Sequence, residues 1–97
     1  MNIKKEKKGN CIELYINGWL DTLSAPTLAT ELNELPSETD SLVMDFTEVE
    51  YISSAGVRQI VAAHKQMKGN LVIRHPGAEV MDVLKMSGLD KKLNIEE

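Results

Sequence analysis

Apolar and polar residues alternate near the start of the chain in the pattern of a β-hairpin. Within residues 11–17 every second residue is isoleucine or leucine, which is the period of a strand with one buried face. Residues 2–7 precede this segment across the turn sequence at 8–10. We therefore predict two antiparallel strands, of which the second ends at Gly18.

Three later segments carry apolar residues at the spacing of an amphipathic helix. The first is predicted to start at Ser24, whose hydroxyl can cap the free amides, and to stop before Pro36. The second opens at Ser53 and the third follows Pro76. Both of these end at turns that contain glycine, so the sequence predicts three helices.

Two short apolar runs lie between these helices. Residues 42–46 are predicted to form a central strand covered on both faces, followed by a connection at 47–50, and residues 71–73 form another buried strand. Strand–helix–strand crossovers give parallel pairing. We predict a single α/β domain over residues 1–97, in which a mixed four- to five-stranded sheet (an edge hairpin plus parallel inner strands) packs against three to four helices.

Charge and composition narrow the classes of protein. The net charge is −4, and basic residues are scattered apart from the lysines at 4–8, which we interpret as protection of an edge strand. A nucleic-acid partner is not expected, because it would require a basic face. Cys11 is the only cysteine, which excludes an internal disulfide and suggests a small core or edge residue. Without a signal or membrane segment, we expect a cytoplasmic protein with no membrane insertion, most simply a monomer.

Catalytic chemistry has little support in the sequence. The chain has two histidines, His64 and His75, and lacks both zinc-ligand spacing and a glycine-rich phosphate loop. We assign no catalytic residue, no metal and no cofactor. An enzyme that uses Ser54 as nucleophile, or binds a nucleotide between Asp21 and Ser54, is the least favoured hypothesis, because no general base is evident there.

The most informative stretch is residues 51–58, Tyr-Ile-Ser-Ser-Ala-Gly-Val-Arg, which follows a buried strand and opens a helix. Ser53 is the natural N-cap, which puts Ser54 in the first turn near solvent. A phosphate on Ser54 would lie beside free amides and the positive end of the helix dipole. Gly56 is predicted to leave the surface bare, so that another chain can approach closely. The alternative is that both serines only cap the helix.

Asp21 and Trp19 form a second group of candidates. Loops at one end of an α/β sheet converge, so Asp21 and Ser54 are expected to be neighbours. Alternatively, Asp21 only caps the turn before the first helix. Trp19, the only tryptophan, is expected in the core by default, or at a contact surface if it is exposed.

Four segments resemble, in order, the STAS domain, the family of bacterial anti-sigma-factor antagonists, and the resemblance runs from Ile3 to Ile95. They are Gly18-Trp19-Leu20-Asp21, residues 43–49, residues 52–57 and Met86-Ser87-Gly88-Leu89. The family's phosphorylated serine falls on Ser54. Its preceding acidic residue falls on Ser53, a departure that bears on recognition by the kinase more than on the fold.

The resemblance implies a partner-switching function. A family antagonist binds an anti-sigma factor with serine kinase activity and frees the sigma factor. Phosphorylation, here of Ser54, releases it, and a PP2C-type phosphatase resets it. The residues expected to bind the partner either match the family's motifs or lie next to residues that match. They are Asp21, Trp19, Ser53, Ser54, Gly56 and Arg58. The alternative is a constitutive STAS subunit of a lipid-transport or transporter complex with no phospho-switch.

Overall fold

The hairpin forms, and its second strand is longer than predicted. In the computed structural model, which describes residues 1–97, β1 (Asn2–Lys8) pairs antiparallel with β2 (Cys11–Leu20). The prediction that β2 ends at Gly18 is wrong. Gly18 has a φ of +102°, which glycine adopts readily, and an irregularity in pairing there carries the strand on to Leu20.

The central strand is also longer than the apolar run that predicted it. β3 (Ser41–Ile52) pairs parallel with β2 and continues through residues 47–50, so the predicted connection at these positions is wrong. Beyond the irregularity, Trp19 lies opposite Tyr51 and Leu20 lies opposite Ile52. The extension of β2 thus supplies the backbone partners that keep residues 47–52 in a strand.

The remaining elements complete a mixed sheet in the order β1-β2-β3-β4-β5, in which every pair after the hairpin is parallel. They are α1 (Ala25–Asn33), α2 (Ser54–Gln66), β4 (Leu71–Arg74), α3 (Ala78–Met86), a short 3₁₀ segment (Leu89–Lys91) and β5 (Asn94–Glu96). The predicted α/β class and mixed sheet are therefore confirmed.

A single hydrophobic core of 19 buried residues lies between one face of the sheet and the helices. The strands contribute residues such as Leu14, Phe46 and Ile73, and the helices contribute Leu28, Ile60 and Leu84 to the same cluster. Since all three α-helices bury their apolar residues on this side, they cover one face of the sheet only. The prediction that β3 is covered on both faces is wrong.

The second face of the sheet carries a network of charged side chains. Arg74 lies between two buried carboxylates, with Nη2 3.5 Å from Glu13 Oε2 and Nη1 3.7 Å from Asp45 Oδ2. The Tyr15 hydroxyl donates to Glu13 Oε1 at 2.6 Å, and Lys8 Nζ lies 3.4 Å from the same oxygen. This network gives the buried charges the partners that burial requires.

The first turn of α2 lies directly against the ends of β2 and β3. The backbone amide of Ser53 donates to the carbonyl of Leu20 at 2.9 Å. A Cβ added to Gly56 would lie 2.7 Å from the Leu20 carbonyl oxygen and 2.8 Å from Ile52 Cγ1. Gly56 is buried, so the prediction that it leaves the surface bare is wrong. The absence of a side chain at Gly56 allows close packing within the domain instead.

Replacing Gly56 should therefore destabilise the fold. We expect Gly56→Ala to lower the free energy of unfolding by about 1–3 kcal/mol, because the new methyl group overlaps backbone and core atoms. Urea denaturation followed by circular dichroism measures the change. Gly77→Ala is the matched control, since Gly77 has a φ of −69° and open space around it. Equal stability of the two variants would contradict the close contact at Gly56.

The charge network should make stability depend on pH through Glu13. The hydrogen bond from Tyr15, with smaller contributions from Arg74 and Lys8, lowers the pKa of Glu13 below its ordinary value of 4.5. The carboxylate therefore stabilises the fold above that value, and the contribution is lost as the pH falls through the lowered pKa.

We expect Glu13→Gln to lower the free energy of unfolding at pH 7, and the gap to the wild-type protein to shrink at pH 3. Urea denaturation at both pH values measures the gap. Glu97→Gln, which removes an exposed carboxylate without an ion pair, controls for the change in net charge. A gap for Glu13→Gln that is the same at both pH values would rule out this role.

Candidate functional site

The start of α2 exposes a serine hydroxyl at the positive end of the helix dipole, where no acidic side chain of the first turn offsets the charge. Ser53 is the N-cap, with φ −103° and ψ 177°, and its Oγ accepts a hydrogen bond from the Gly56 amide at 3.5 Å. Ser54 follows as the first residue of the helix and is exposed, in the arrangement that the sequence predicted. The first turn contains no acidic residue. The positive end of the helix dipole can therefore accept a negative charge at this position.

Asp21 organises the turn that leads into α1. Its Oδ1 accepts hydrogen bonds from the amides of Leu23 and Ser24, each at 3.1 Å, so its predicted alternative role in the turn is confirmed. The Ser24 amide is the largest cause that lowers the pKa of Asp21 below its ordinary value. The predicted capping of α1 by Ser24 is wrong, because the Ser24 hydroxyl donates to the Trp19 carbonyl at 2.6 Å instead.

The loop of Asp21 and the start of α2 both lie at the carboxyl ends of the parallel strands β2 and β3, which form the edge of the sheet that carries Ser54. Leu20 pairs with Ile52 in the parallel ladder, and the Leu20 carbonyl accepts from the Ser53 amide. Asp21 and Ser54 each follow one of these joined residues in the chain. The structure thus brings the loop of Asp21 and the two serines to one edge, as the convergence of loops predicted.

An exposed aromatic pair lies on this edge. The side chains of Trp19 and Tyr51 are 56% and 44% exposed, and their ring centroids are 5.3 Å apart. Trp19 does not lie in the core, so the default prediction is wrong, and the alternative that Trp19 is exposed is confirmed. Leu23, 90% exposed, lines a surface hollow of about 300 Å³ together with Trp19 and Asp21. Large exposed apolar side chains in contact with one another mark an interaction surface.

Sequence reasoning missed Tyr51 and Leu23. The polar residues at 47–50 predict a connection just before Tyr51, so the sequence gives no sign that Tyr51 pairs with Trp19 on the neighbouring strand. No regular pattern reveals this strand, since only Val49 and Ile52 are buried within residues 47–52.

Arg58 lies one helical turn after Ser54, on the exposed surface of α2. Residues four apart on a helix are neighbours, so Arg58 and Ser54 lie next to each other on the surface of α2. Arg58 forms no ion pair within the chain. It is the only basic residue in the segments 17–24 and 47–58, which also contain Asp21, Glu48 and Glu50. These two segments are therefore acidic apart from one available arginine, and the N-terminal residue Met1 lies beside them in the hollow of Trp19 and Asp21.

No three histidine, cysteine, aspartate or glutamate side chains converge in a way that could hold a metal ion. None of the helices combines the length and the apolar character needed to cross a bilayer.

Several solved structures share this fold. An anti-sigma factor antagonist from Mycobacterium paratuberculosis is 19% identical, with a TM-score of 0.87 over 98% of this chain and 84% of that protein. The anti-sigma factor antagonist SpoIIAA in its unphosphorylated form is 11% identical, with a TM-score of 0.78 over 99% and 88%. The phosphorylated form of SpoIIAA from Bacillus is 14% identical, with a TM-score of 0.69 over 99% and 92%.

A sulfate transporter family protein from Wolinella succinogenes is also similar, with 14% identity and a TM-score of 0.79 over 92% of this chain and 78% of that protein. A search of the curated proteins finds no match. At these identities the structural likenesses establish the fold. The family model described as STAS domain matches residues 2–97, nearly the whole chain. The chain belongs to the STAS domain family.

Proposed function

We propose that this protein is an anti-sigma-factor antagonist, which binds an anti-sigma factor with serine kinase activity and is released when Ser54 is phosphorylated. The observation that carries the proposal is the exposed Ser54 hydroxyl at the first position of α2, in a STAS domain. It rests further on the likeness to an antagonist that exists in unphosphorylated and phosphorylated forms. Sigma factors act in the bacterial cytoplasm, where we place the protein.

The folded domain is suited to carry a phosphate on Ser54. Phosphorylation adds a charge of about −1.5 to −2 at neutral pH. The positive end of α2 has no acidic residue in its first turn, and Arg58 is free to pair with the new charge. We infer that phosphorylation changes the interface and leaves the fold intact.

The same charge opposes binding when a partner covers the edge. An interface centred on Ser54 would have to remove water from the phosphate, at a cost of several kcal/mol. Asp21 is negatively charged at neutral pH, as an ordinary aspartate is, and hydrogen bonds from Ser24 and Leu23 lower its pKa further. A difference of only about 3 kcal/mol between the two forms corresponds to a more than hundredfold change in affinity.

The partner surface in this proposal combines polar and aromatic contacts. Trp19 and Tyr51 supply large apolar area at the ends of β2 and β3, and aromatic side chains of this kind dominate the energetics of many interfaces. Ser53, Asp21 and Arg58 lie around them. Gly56, which is buried, contributes by holding the first turn of α2 in place and makes no direct contact with a partner. A PP2C-type phosphatase can reach Ser54 in the released protein, because the residue is exposed.

A negative charge at position 54 should abolish partner binding. We expect Ser54→Asp to bind the anti-sigma factor at least a hundredfold more weakly than the wild-type protein, and Ser54→Ala to bind within a few-fold of it. The partner is isolated from the native host with the tagged wild-type protein, and its affinity for each variant is measured by titration calorimetry.

Ser37→Asp is the matched control, since it adds the same charge at an exposed position between α1 and β3. It should bind as the wild-type protein does. If Ser54→Asp binds as tightly as Ser37→Asp, the phospho-switch is not the function of this edge.

A second candidate is a constitutive subunit of a transporter complex without a phospho-switch. It is supported by the likeness to the sulfate transporter family protein. The presence of Ser53 where the resemblance leads one to expect an acidic residue also favours it, since this change bears on kinase recognition.

Intact-mass analysis of the protein from its native host separates the two candidates. The antagonist should yield a species heavier by one phosphate, which maps to Ser54 and disappears after treatment with a PP2C-type phosphatase. The Ser54→Ala variant, expressed in the same host, is the control and should lack this species. A single unmodified mass across growth and stress conditions, together with co-purification of a permease or an ATPase, would favour the transporter subunit.

A further inference from the structure

A cluster of lysines lies at the end of the molecule opposite Ser54. Five lysines fall in the segments 61–68 and 85–93, where Asp90 is the only carboxylate: Lys65, Lys68, Lys85, Lys91 and Lys92. None of the five forms an ion pair in the structure. The cluster is unusual in a protein whose net charge is −4, since unpaired like charges repel one another.

The helix dipoles account for part of this cluster only. Lys65 and Lys85 lie in the last turns of α2 and α3, where a positive charge stabilises the negative end of a helix. Lys68 also lies at the end of α2, one residue past its C-cap Met67, whereas Lys92 caps a 3₁₀ segment of only three residues, whose dipole is small. The dipoles of α2 and α3 therefore do not account for Lys91 and Lys92.

A small apolar hollow opens within the cluster. It lies between α2 and the segment after α3, has a volume of about 60 Å³, and its apolar lining consists of Val61, Leu89 and Leu93. Val61 is 39% exposed, which is high for a valine in a helix that packs on the core. Lys65 and Lys92 line the same hollow. An apolar depression of this size, flanked by two ammonium groups, fits one small aliphatic side chain between two carboxylates.

The hollow is well separated from the edge that carries Ser54. Lys65 follows Ser54 by eleven residues of the same helix, which corresponds to roughly 16 Å along the axis. Lys65 and Lys92 flank the hollow, whereas Asp21 lies at the edge that carries Ser54. The two surfaces thus differ in the charge of the partners that they suit, and one chain can present both at once.

We propose that the lysine cluster and its hollow bind an acidic segment of a partner protein, with one aliphatic side chain seated against Val61 and Leu89 and carboxylates paired with Lys65 and Lys92. A protein segment fits better than a lipid bilayer, because the hollow accepts a single side chain. The surface acts independently of the phosphorylation state of Ser54.

Nuclear magnetic resonance titration of the ¹⁵N-labelled protein tests this surface. The probe is a blocked pentapeptide of four glutamates around a central leucine, compared with the same peptide carrying a central glycine. The leucine peptide should shift the amide signals of residues 61–65 and 89–93. It should bind about tenfold more tightly than the glycine peptide, because burial of the leucine side chain adds to the ionic contacts.

Charge reversal completes the test. Lys92→Glu should weaken binding of the leucine peptide about threefold to tenfold. Lys4→Glu makes the same change on β1, where Lys4 is exposed and forms no ion pair, and should leave the affinity unchanged. Equal binding of the two peptides, equal effects of the two variants, or no shifts at millimolar peptide would overturn the proposal. The proposal would also be overturned if the protein does not bind the peptide but sediments with vesicles of phosphatidylglycerol, and Lys92→Glu abolishes this sedimentation.

Discussion

The close contact between the first turn of α2 and the ends of β2 and β3 is the constraint on which the rest of the structure depends. A hydrogen bond from the Ser53 amide to the Leu20 carbonyl fixes the start of the helix, and Gly56 allows the backbone of the helix to reach the strands. The first turn therefore has little freedom to move. Ser54 is held at the surface by a contact that is itself buried.

Charged side chains have two different roles in this small domain. Across the open face of the sheet, Arg74 joins the buried carboxylates of Glu13 and Asp45, so a face without helices still excludes unpaired charge. Outside this network, Arg58 and the five lysines near the ends of α2 and α3 form no ion pair. Paired charges hold the sheet together, whereas unpaired ones remain free for partners.

Local patterns predicted the elements, and long-range contacts determined where the predictions failed. The alternation of residues 11–17 and the helical spacings were sufficient for the hairpin, the three helices and the mixed sheet. Residues 47–50 appear polar in isolation, and they form a strand only because β2 continues alongside them. Gly56 is predicted to be exposed and is buried for the same reason, since its sequence context does not reveal that Leu20 lies against it.

The candidate site shows the same division. Capping preferences placed Ser53 and Ser54 correctly, because capping is a property of a few adjacent residues. The aromatic pair of Trp19 and Tyr51 joins residues 32 positions apart in the chain, and the lysine cluster is drawn from two separate segments. Neither can be recognised until the fold brings its members together.

The position of Trp19 has a consequence for how this protein can be observed. Trp19 is the only tryptophan, so it dominates the ultraviolet fluorescence, and its indole ring is already more than half exposed in the folded state. Unfolding changes the polarity around the ring only modestly, which makes its emission a weak signal of denaturation. A protein that docks on the edge beside Ser54 would remove water from the ring and shift the emission to shorter wavelength. The domain thus carries an intrinsic optical reporter of its own occupancy, without any label.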